Sequence, residues 1–281
     1  KEMILEPIER RTNLSREEFK KEYLDPGKPV VIEDLAKDWA GLQKWSFGFF
    51  KEKYGDLMVP LVDQSFHDPG ARYMEHRNIP FRDYIEAIEK GPTDLRLFLF
   101  NIFDKAPELR EDFIWPTIMD GFVKSLPFMF FGGAGSITPM HFDIDCPSNF
   151  LTHFHTRKKI ILFDRNQSRY LYHQPFTVQS QVDINNPDYD QFPALRKARG
   201  IEAILHHGDT VYIPPHWWHY IEYVDSGFSL ALRAHDRISN KFVAVQNLIQ
   251  HSLIDKGMNK ILGKKWKNWK VNAARKRAES A

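Results

Sequence analysis

Two residue types able to hold a transition metal, His and Asp, fall in two short phrases of this chain. The first is Thr138-Pro139-Met140-His141-Phe142-Asp143, and the second is Pro214-Pro215-His216-Trp217-Trp218-His219. His141 and Asp143 are two apart, so on an extended strand both side chains leave the same face. His219 then supplies a third ligand from a facing strand. Two imidazoles and one carboxylate on one side of a metal, with the opposite positions open, form the facial arrangement of non-haem Fe(II) centres. Iron is preferred over zinc because zinc sites are commonly closed by four protein ligands or use His₃ and His₂Glu sets.

The chain has 12 His, so a lone His-x-Asp pair carries little weight and its setting must decide. Gly135-Ser136-Ile137-Thr138-Pro139 delivers the chain into the first phrase, and Gly208-Asp209-Thr210-Val211-Tyr212-Ile213 leads into the second. His153 and His155 make a rival His-x-His pair without a carboxylate at matching spacing; they are expected to line the barrel mouth. His206, His207, His216 and His235 are expected on loops or the rim, and Trp217 and Trp218 in the core rather than in a binding box. Activation of O2 at such a metal needs two further electrons. A bidentate 2-oxo acid supplies them by decarboxylation, and its distal carboxylate requires a buried cation. Lys158 is the candidate cation, with Thr138 as a hydroxyl donor beside it. On composition alone, Arg157-Lys158-Lys159 reads instead as a solvated strand edge.

The elements that must position these groups are legible as periodicity. Ser15-Arg16-Glu17-Glu18 is a capping box, and Phe19, Tyr23 and Leu24 continue it as a helix over 15–24 that Asp25-Pro26-Gly27 stops. A strand at 29–32, a helix at 46–54, strands at 58–62 and 72–79, a helix at 81–90, a strand at 94–100 and a helix at 116–124 follow. From Phe128 the chain changes to short aromatic and β-branched runs between turn residues. Strands are expected at 128–132, 138–143, 149–155, 158–164, 201–205, 209–213, 217–223 and 227–234, and eight strands complete a double-stranded β-helix, a cupin-like jelly roll. Residues 174–200 read as a long insertion, a kind of loop that is often functional. Beyond Asp236, Ser239 caps a helix to about Lys256 with Phe242, Val245, Leu248, Ile249 and Leu253 on one face, and a second helix covers 258–274. The fold class is therefore mainly β with flanking helices: an N-terminal α/β segment over 1–125, the jelly roll over 126–236, and C-terminal helices with a basic tail over 237–281.

At 42% hydrophobic and 14% aromatic, the 281 residues suit a bulky-walled globular core rather than a disordered chain. A lone cysteine, Cys146, excludes an internal disulfide and points to a reducing, cytoplasmic setting. No run reaches the roughly 18 apolar residues of a membrane span, so no membrane partner is expected. Charge is placed unevenly: residues 256–281 carry nine Lys or Arg against Glu279. Such a tail reads as a solvated helix face with a frayed end, with an anionic partner as the alternative.

The span from Phe128 to Arg233 resembles the Jumonji C oxygenases, in particular the asparaginyl hydroxylase branch and its cupin-like bacterial relatives. The phrases that carry the resemblance are Thr138-Pro139-Met140-His141-Phe142-Asp143, Ser180-Gln181-Val182-Asp183 with Asn186-Pro187-Asp188-Tyr189, Gly208-Asp209, Tyr212-Ile213-Pro214 and Trp217-Trp218-His219. The resemblance implies Fe(II) at His141, Asp143 and His219, with 2-oxoglutarate held by Thr138, Asn149 and Lys158. It also implies a homodimer through the C-terminal helices. Four departures stand out. Phe98 replaces a tyrosine, Arg233 replaces an asparagine as a cation able to bind or obstruct the co-substrate carboxylate, and two extra residues separate Asp143 from Asn149. Val178 replaces the arginine that positions the target asparagine, beside a retained candidate substrate residue, Gln179, so asparagine hydroxylation is not implied. The implied activity is hydroxylation of a C–H bond by O2 on a protein side chain, a small molecule or a modified RNA base. The RNA option rests on Asn186-Pro187-Asp188 through Lys197-Ala198-Arg199, which also resembles the tRNA wybutosine hydroxylase, and on the aromatic and basic run from Lys264 to Lys270. N-demethylation ranks behind hydroxylation, since the demethylases usually carry Glu where Asp143 stands. The alternative class is a metal-binding cupin-like scaffold without turnover, which Phe98 and Arg233 favour.

Overall fold

Strand alternation along the aromatic half of the chain separates an inner from an outer face, and that separation builds the site. The computed structural model describes residues 2–62, 77–93, 95–97, 100–236 and 238–280. Among them, β1 (Ile4–Pro7), β2 (Arg10–Arg11), β3 (Val30–Ile32), β4 (Met58–Val62), β5 (Arg77–Pro80) and β6 (Arg96–Leu97) come first. They are followed by β7 (Phe128–Gly132), β8 (Ile137–His141), β9 (Ser148–Phe154), β10 (Lys158–Phe163), β11 (Arg199–Leu205), β12 (Thr210–Ile213), β13 (Trp218–Tyr223) and β14 (Gly227–Ala234). One sheet has the order β1-β11-β10-β13-β8 and the other β2-β3-β12-β9-β14-β7-β6-β4-β5. The last eight strands thus divide four and four, as a jelly roll requires. β1 extends one sheet, and the five other early strands extend the second at both edges.

Three apolar layers follow from the period of two. On β14, Leu230 and Leu232 face outward and join Phe131, Phe150, Phe154 and Phe228 against the N-terminal residues Phe19, Trp45, Phe50, Phe81 and Phe103. Between the sheets, Leu151, Val211, Ile213 and Ala231 meet Ile160, Leu162 and Leu205. On the far side, Met140, Phe142, Ile161, Phe163, Trp218 and Tyr220 are covered by the 171–195 segment through Leu171, Tyr172, Ile184 and Leu195. Trp218 is wholly buried and donates Nε1–H to Ser168 Oγ, while Trp217 donates to the Gly27 carbonyl. Both tryptophans are packing residues.

Several expected elements differ. Ser15 and Glu18 form the reciprocal capping box, and the helix Arg16–Phe19 runs on through a wider turn, Lys20–Leu24. No helix occupies 116–124. Instead Val123 N–H donates to the Arg233 carbonyl and His235 N–H to the Gly121 carbonyl, so the stretch lies extended beside the end of β14. Gly121 has φ +88, and a Cβ there would meet the His235 carbonyl oxygen at 2.4 Å; pairing with the barrel overrides local helix propensity. The strand expected at 94–100 is present at Arg96–Leu97, with 94, 98 and 99 outside the described residues, and that expected at 72–79 is described only from Arg77. Phe98 therefore lies outside the described residues as well. The C-terminal break falls at Gly263, φ +51, rather than at Gly257, which stays helical. The chain reverses there because buried Asp255 accepts from Trp266 Nε1 (2.8 Å) and from Lys270 Nζ on the returning helix Lys264–Glu279. Among the described residues no helix is long and apolar enough to cross a membrane.

Candidate metal centre

β8 and β13 are antiparallel neighbours in one sheet, and His141 stands directly across from His219. The two histidines are therefore adjacent cross-strand partners, with ring centroids 4.2 Å apart. Two residues further along β13, Ile221 pairs with Thr138, so three steps on β8 oppose two on β13. This bulge has a consequence for the site: residues three apart on a regular strand point to opposite faces, but the extra residue brings Thr138 and His141 to the same inner face. Pro139, which has no N–H for the ladder, sits inside the bulge. Asp143 lies just beyond the end of β8 rather than on it.

The three candidate ligand atoms converge within 4.8 Å of one another. Asp143 Oδ1 is 3.9 Å from His141 Nε2 and 3.7 Å from His219 Nε2. Each imidazole points its Nδ1 at a carbonyl, Pro139 O at 2.8 Å for His141 and Trp217 O at 3.2 Å for His219. A donor proton on Nδ1 leaves Nε2 as the lone-pair nitrogen, the tautomer a metal requires. Burial pushes the Asp143 carboxyl up, but Arg233, His219 and His141 and the amide of Asn149 outweigh it and hold the group below the usual carboxylate range. The ligand set is therefore anionic and directed inward.

The candidate co-substrate residues divide between two depths. Lys158 pairs across from Tyr223, and Leu162 from His219, so Lys158 lies four residues, roughly 13 Å of strand, from the level of the metal ligands. It is 1% exposed, donates to Ser229 Oγ at 2.6 Å and sits 4.0 Å over the Tyr223 ring. Burial brings its pKa down to about 7. The solvated-edge reading of Lys158 is excluded. Asn149 and Arg233 face each other across β9 and β14 at the metal end. Asn149 donates to Asp143, and its Oδ1 is buried without a hydrogen-bond partner among the described residues. Arg233 reaches Asp143 Oδ2 at 3.5 Å and both oxygens of Asp145 at 3.2 and 3.3 Å. Gln179 is exposed, and its backbone bridges to His141 in a segment that pairs loosely along β8.

His153 corrects an expectation: it does not line the mouth but is fully buried, bonded to Ser229 Oγ (2.9 Å) and Thr156 Oγ1 (3.1 Å), with burial and nearby Lys158 keeping it neutral. His155 leaves the strand at φ +61 and stacks on His207, so the His-x-His pair diverges. Sequence reasoning missed Ser229, Tyr223 and Asp145. Ser229 was within reach, because positions 229, 231 and 233 share one face of β14; Asp145 belongs to the longer turn after Asp143, for which periodicity gives no signal.

The residues fit Fe(II) and a 2-oxo acid. The donor set is two imidazoles and one carboxylate, and Lys158 is a buried cation that forms no ion pair among the described residues, as a site for an incoming carboxylate demands.

Comparison with known proteins agrees with this arrangement. The family described as cupin-like domain matches residues 15–235. JmjC domain-containing protein D of Dictyostelium discoideum is 30% identical over 263 residues, covering 82% of this chain and 56% of that protein. Lysine-specific demethylase 8 of Xenopus tropicalis is 32% identical over 232 residues, 77% of this chain and 50% of its own length. Lysine-specific demethylase JMJ30 of Arabidopsis thaliana is 29% identical, covering 80% and 54%. The chain thus spans about half the length of these curated relatives.

Proposed function

The chain belongs to the cupin-like family of JmjC-type domains, whose enzymes use Fe(II) and 2-oxoglutarate, and from that premise we propose that it hydroxylates a C–H bond at the expense of O2 and 2-oxoglutarate. The observation that carries this reading is the pairing of an inward His141–Asp143–His219 triad with a buried lysine that forms no ion pair among the described residues, inside the same barrel. The overall balance is R–H + O2 + 2-oxoglutarate → R–OH + succinate + CO2.

When bound, iron supplies the oxygen-activating redox chemistry and a template for both reactants. The protein does the rest. His141, Asp143 and His219 would hold the metal, and the carbonyls of Pro139 and Trp217 fix the two rings. Lys158, steadied by Ser229 and the Tyr223 ring, anchors the distal carboxylate, and Thr138 offers a hydroxyl from the same inner face. Asn149 orients Asp143. Leu151, Ile160, Leu162 and Ala231 wall the space with apolar surface and exclude water. Gln179, exposed beside His141, is placed to meet the substrate at the mouth.

The substrate is read as a side chain of a protein. The names of two relatives favour it, and the chemistry extends to an N-methyl group, where hydroxylation of the methyl carbon releases formaldehyde. Anaerobically loaded Fe(II) protein should convert 2-oxoglutarate to succinate when O2 and a peptide pool are admitted, and new +16 Da adducts or lost methyl groups should be found by mass spectrometry. His219→Ala should abolish iron retention while His153→Ala keeps it. Equal retention in both would mean that the ligands are wrong, and failure of the iron-loaded protein to bind 2-oxoglutarate would leave the scaffold reading.

A further inference from the structure

Arg233 is a charged group at the metal end to which the proposed reaction gives no task. Its guanidinium is held from two sides. Nη2 lies 3.5 Å from Asp143 Oδ2, while Nη1 lies 3.2 Å from Asp145 Oδ2 and 3.3 Å from Oδ1. Asp145 is further restrained by His235 Nε2 at 3.8 Å, and the guanidinium carbon lies 5.9 Å from the Phe128 ring. The turn that carries Asp145 is itself tied to the helix at 238–249, where Asn247 Nδ2 donates to the Ile144 carbonyl at 3.2 Å. Arg233 is thereby held at the metal end by an anchored turn as well as by Asp143.

The two oxygens of Asp143 face different neighbours. Oδ1 is the atom near both imidazole nitrogens, and Oδ2 is the atom against the arginine. A carboxylate with both oxygens uncommitted can bind a metal through either one or both. We infer that Arg233 is a positioning residue that keeps Asp143 Oδ2 away from the metal, so that the carboxylate contributes one oxygen and an additional coordination position stays open for co-substrate. The inference rests on the metal-site reading above. It carries an electrostatic consequence of unusual sign, because a fixed guanidinium this close to a divalent ion repels it. Removing the arginine should tighten metal binding rather than weaken it.

The test uses Co(II) as the probe, added to the metal-free full chain, with the dissociation constant read by chelator competition and the coordination by the visible d–d spectrum. Arg233→Met should bind Co(II) roughly tenfold more tightly, the scale expected for one charge removed at short range in a partly solvated site. Its spectrum should shift as the second carboxylate oxygen enters. Arg233→Lys, which keeps the charge, should stay near wild type in affinity. Asp145→Asn should have the opposite effect and weaken Co(II) binding severalfold, since Asp143 is then the only acidic partner of Arg233 among the described residues. Equal or weaker binding by Arg233→Met with an unchanged spectrum overturns the inference. Should that variant fail to melt cooperatively, Asp145→Asn decides: tighter or unchanged binding there overturns it as well. His219→Ala separates the two levels of argument. If it binds Co(II) like wild type, the metal site itself is misassigned; if it loses Co(II) while Arg233→Met is unchanged, only the role of Arg233 fails.

Discussion

Lys158 shows how much a single residue's setting can reverse what its sequence neighbourhood suggests. In Arg157-Lys158-Lys159 three cations run together, yet Arg157 pairs with Asp225 and Lys159 with Glu202 outside the barrel while Lys158 points in. Burial lowers its pKa to about 7. A protonated lysine is what a carboxylate binds, so 2-oxoglutarate affinity should be full below pH 7. Above it, affinity should weaken by up to tenfold per unit until the pKa of the liganded lysine is reached. Calorimetric titration between pH 6 and 9 reads this, and Lys158→Met should lose both most of the affinity and its pH dependence; a flat profile in the wild type would remove Lys158 from the carboxylate site. In the ligand-free protein the folded pKa lies below the unfolded 10.5, so this group makes stability rise with pH between about 7 and 10.5 and adds no slope below 7. The three metal-site candidates were legible because each sits beside a turn signal, Gly135 before His141 and Asp143, and Gly208 with Pro214-Pro215 before His219. Arg233 was legible as a cation able to bind or obstruct the co-substrate carboxylate, not as a partner of Asp143. Its partner Asp145 was not, because a surface-like Asp in a turn has no periodic signature.

At the scale of elements, the eight barrel strands were readable as short aromatic and β-branched runs between turn residues, because strands such as β9, β12 and β14 are buried on both faces. Reading failed where tertiary pairing displaced local preference, as at 116–124, and where a bulge broke the period of two. His141 and Asp143 were placed on one face by strand logic, but Asp143 lies past the strand, and it is the β8 bulge that aligns Thr138 with His141. The close approach of strands inside the barrel gives a second test. Gly132 ends β7 against the Tyr223 ring, where a Cβ would sit 2.5 Å from Cε2. Tyr223 in turn lies under Lys158 Nζ. Gly132→Ala should therefore cost about 1–3 kcal/mol of stability through overpacking and raise the 2-oxoglutarate dissociation constant severalfold, with metal affinity unchanged. Thermal melts beside parallel Co(II) and 2-oxoglutarate titrations check it; equal losses in both ligands would show that the clash spreads beyond the Lys158 end.

For the whole molecule, the C-terminal hairpin matters most, because its sequence-derived apolar face is left exposed among the described residues. Phe242 is 73% and Leu253 69% exposed, with Val245, Leu248 and Ile249 between them and Ile261 beyond. Contiguous apolar surface of this kind on a helix face marks an interaction site. The returning helix is nonetheless fixed to the body: Trp266 and Trp269 stack with Phe176, Tyr172 donates to Glu279, and Ala278 joins the outer core. The hairpin is thus a rigid platform rather than a loose tail, and Phe176 belongs to the same segment as Gln179 beside His141. We propose that a second copy of the chain covers the exposed face, since one twofold axis lets the same stripe bury itself and needs no other sequence. Light scattering after gel filtration should then give a dimer. Phe242→Glu combined with Leu253→Glu should yield a monomer that still holds Co(II), because neither residue touches the ligand set. A wild type that stays monomeric at tens of micromolar would assign the stripe to another protein, and retention of the dimer by the double variant would move the interface elsewhere. Loss of 2-oxoglutarate turnover in that monomer, with metal binding intact, would show that the platform steadies the Phe176–Gln179 segment only when its apolar face is covered.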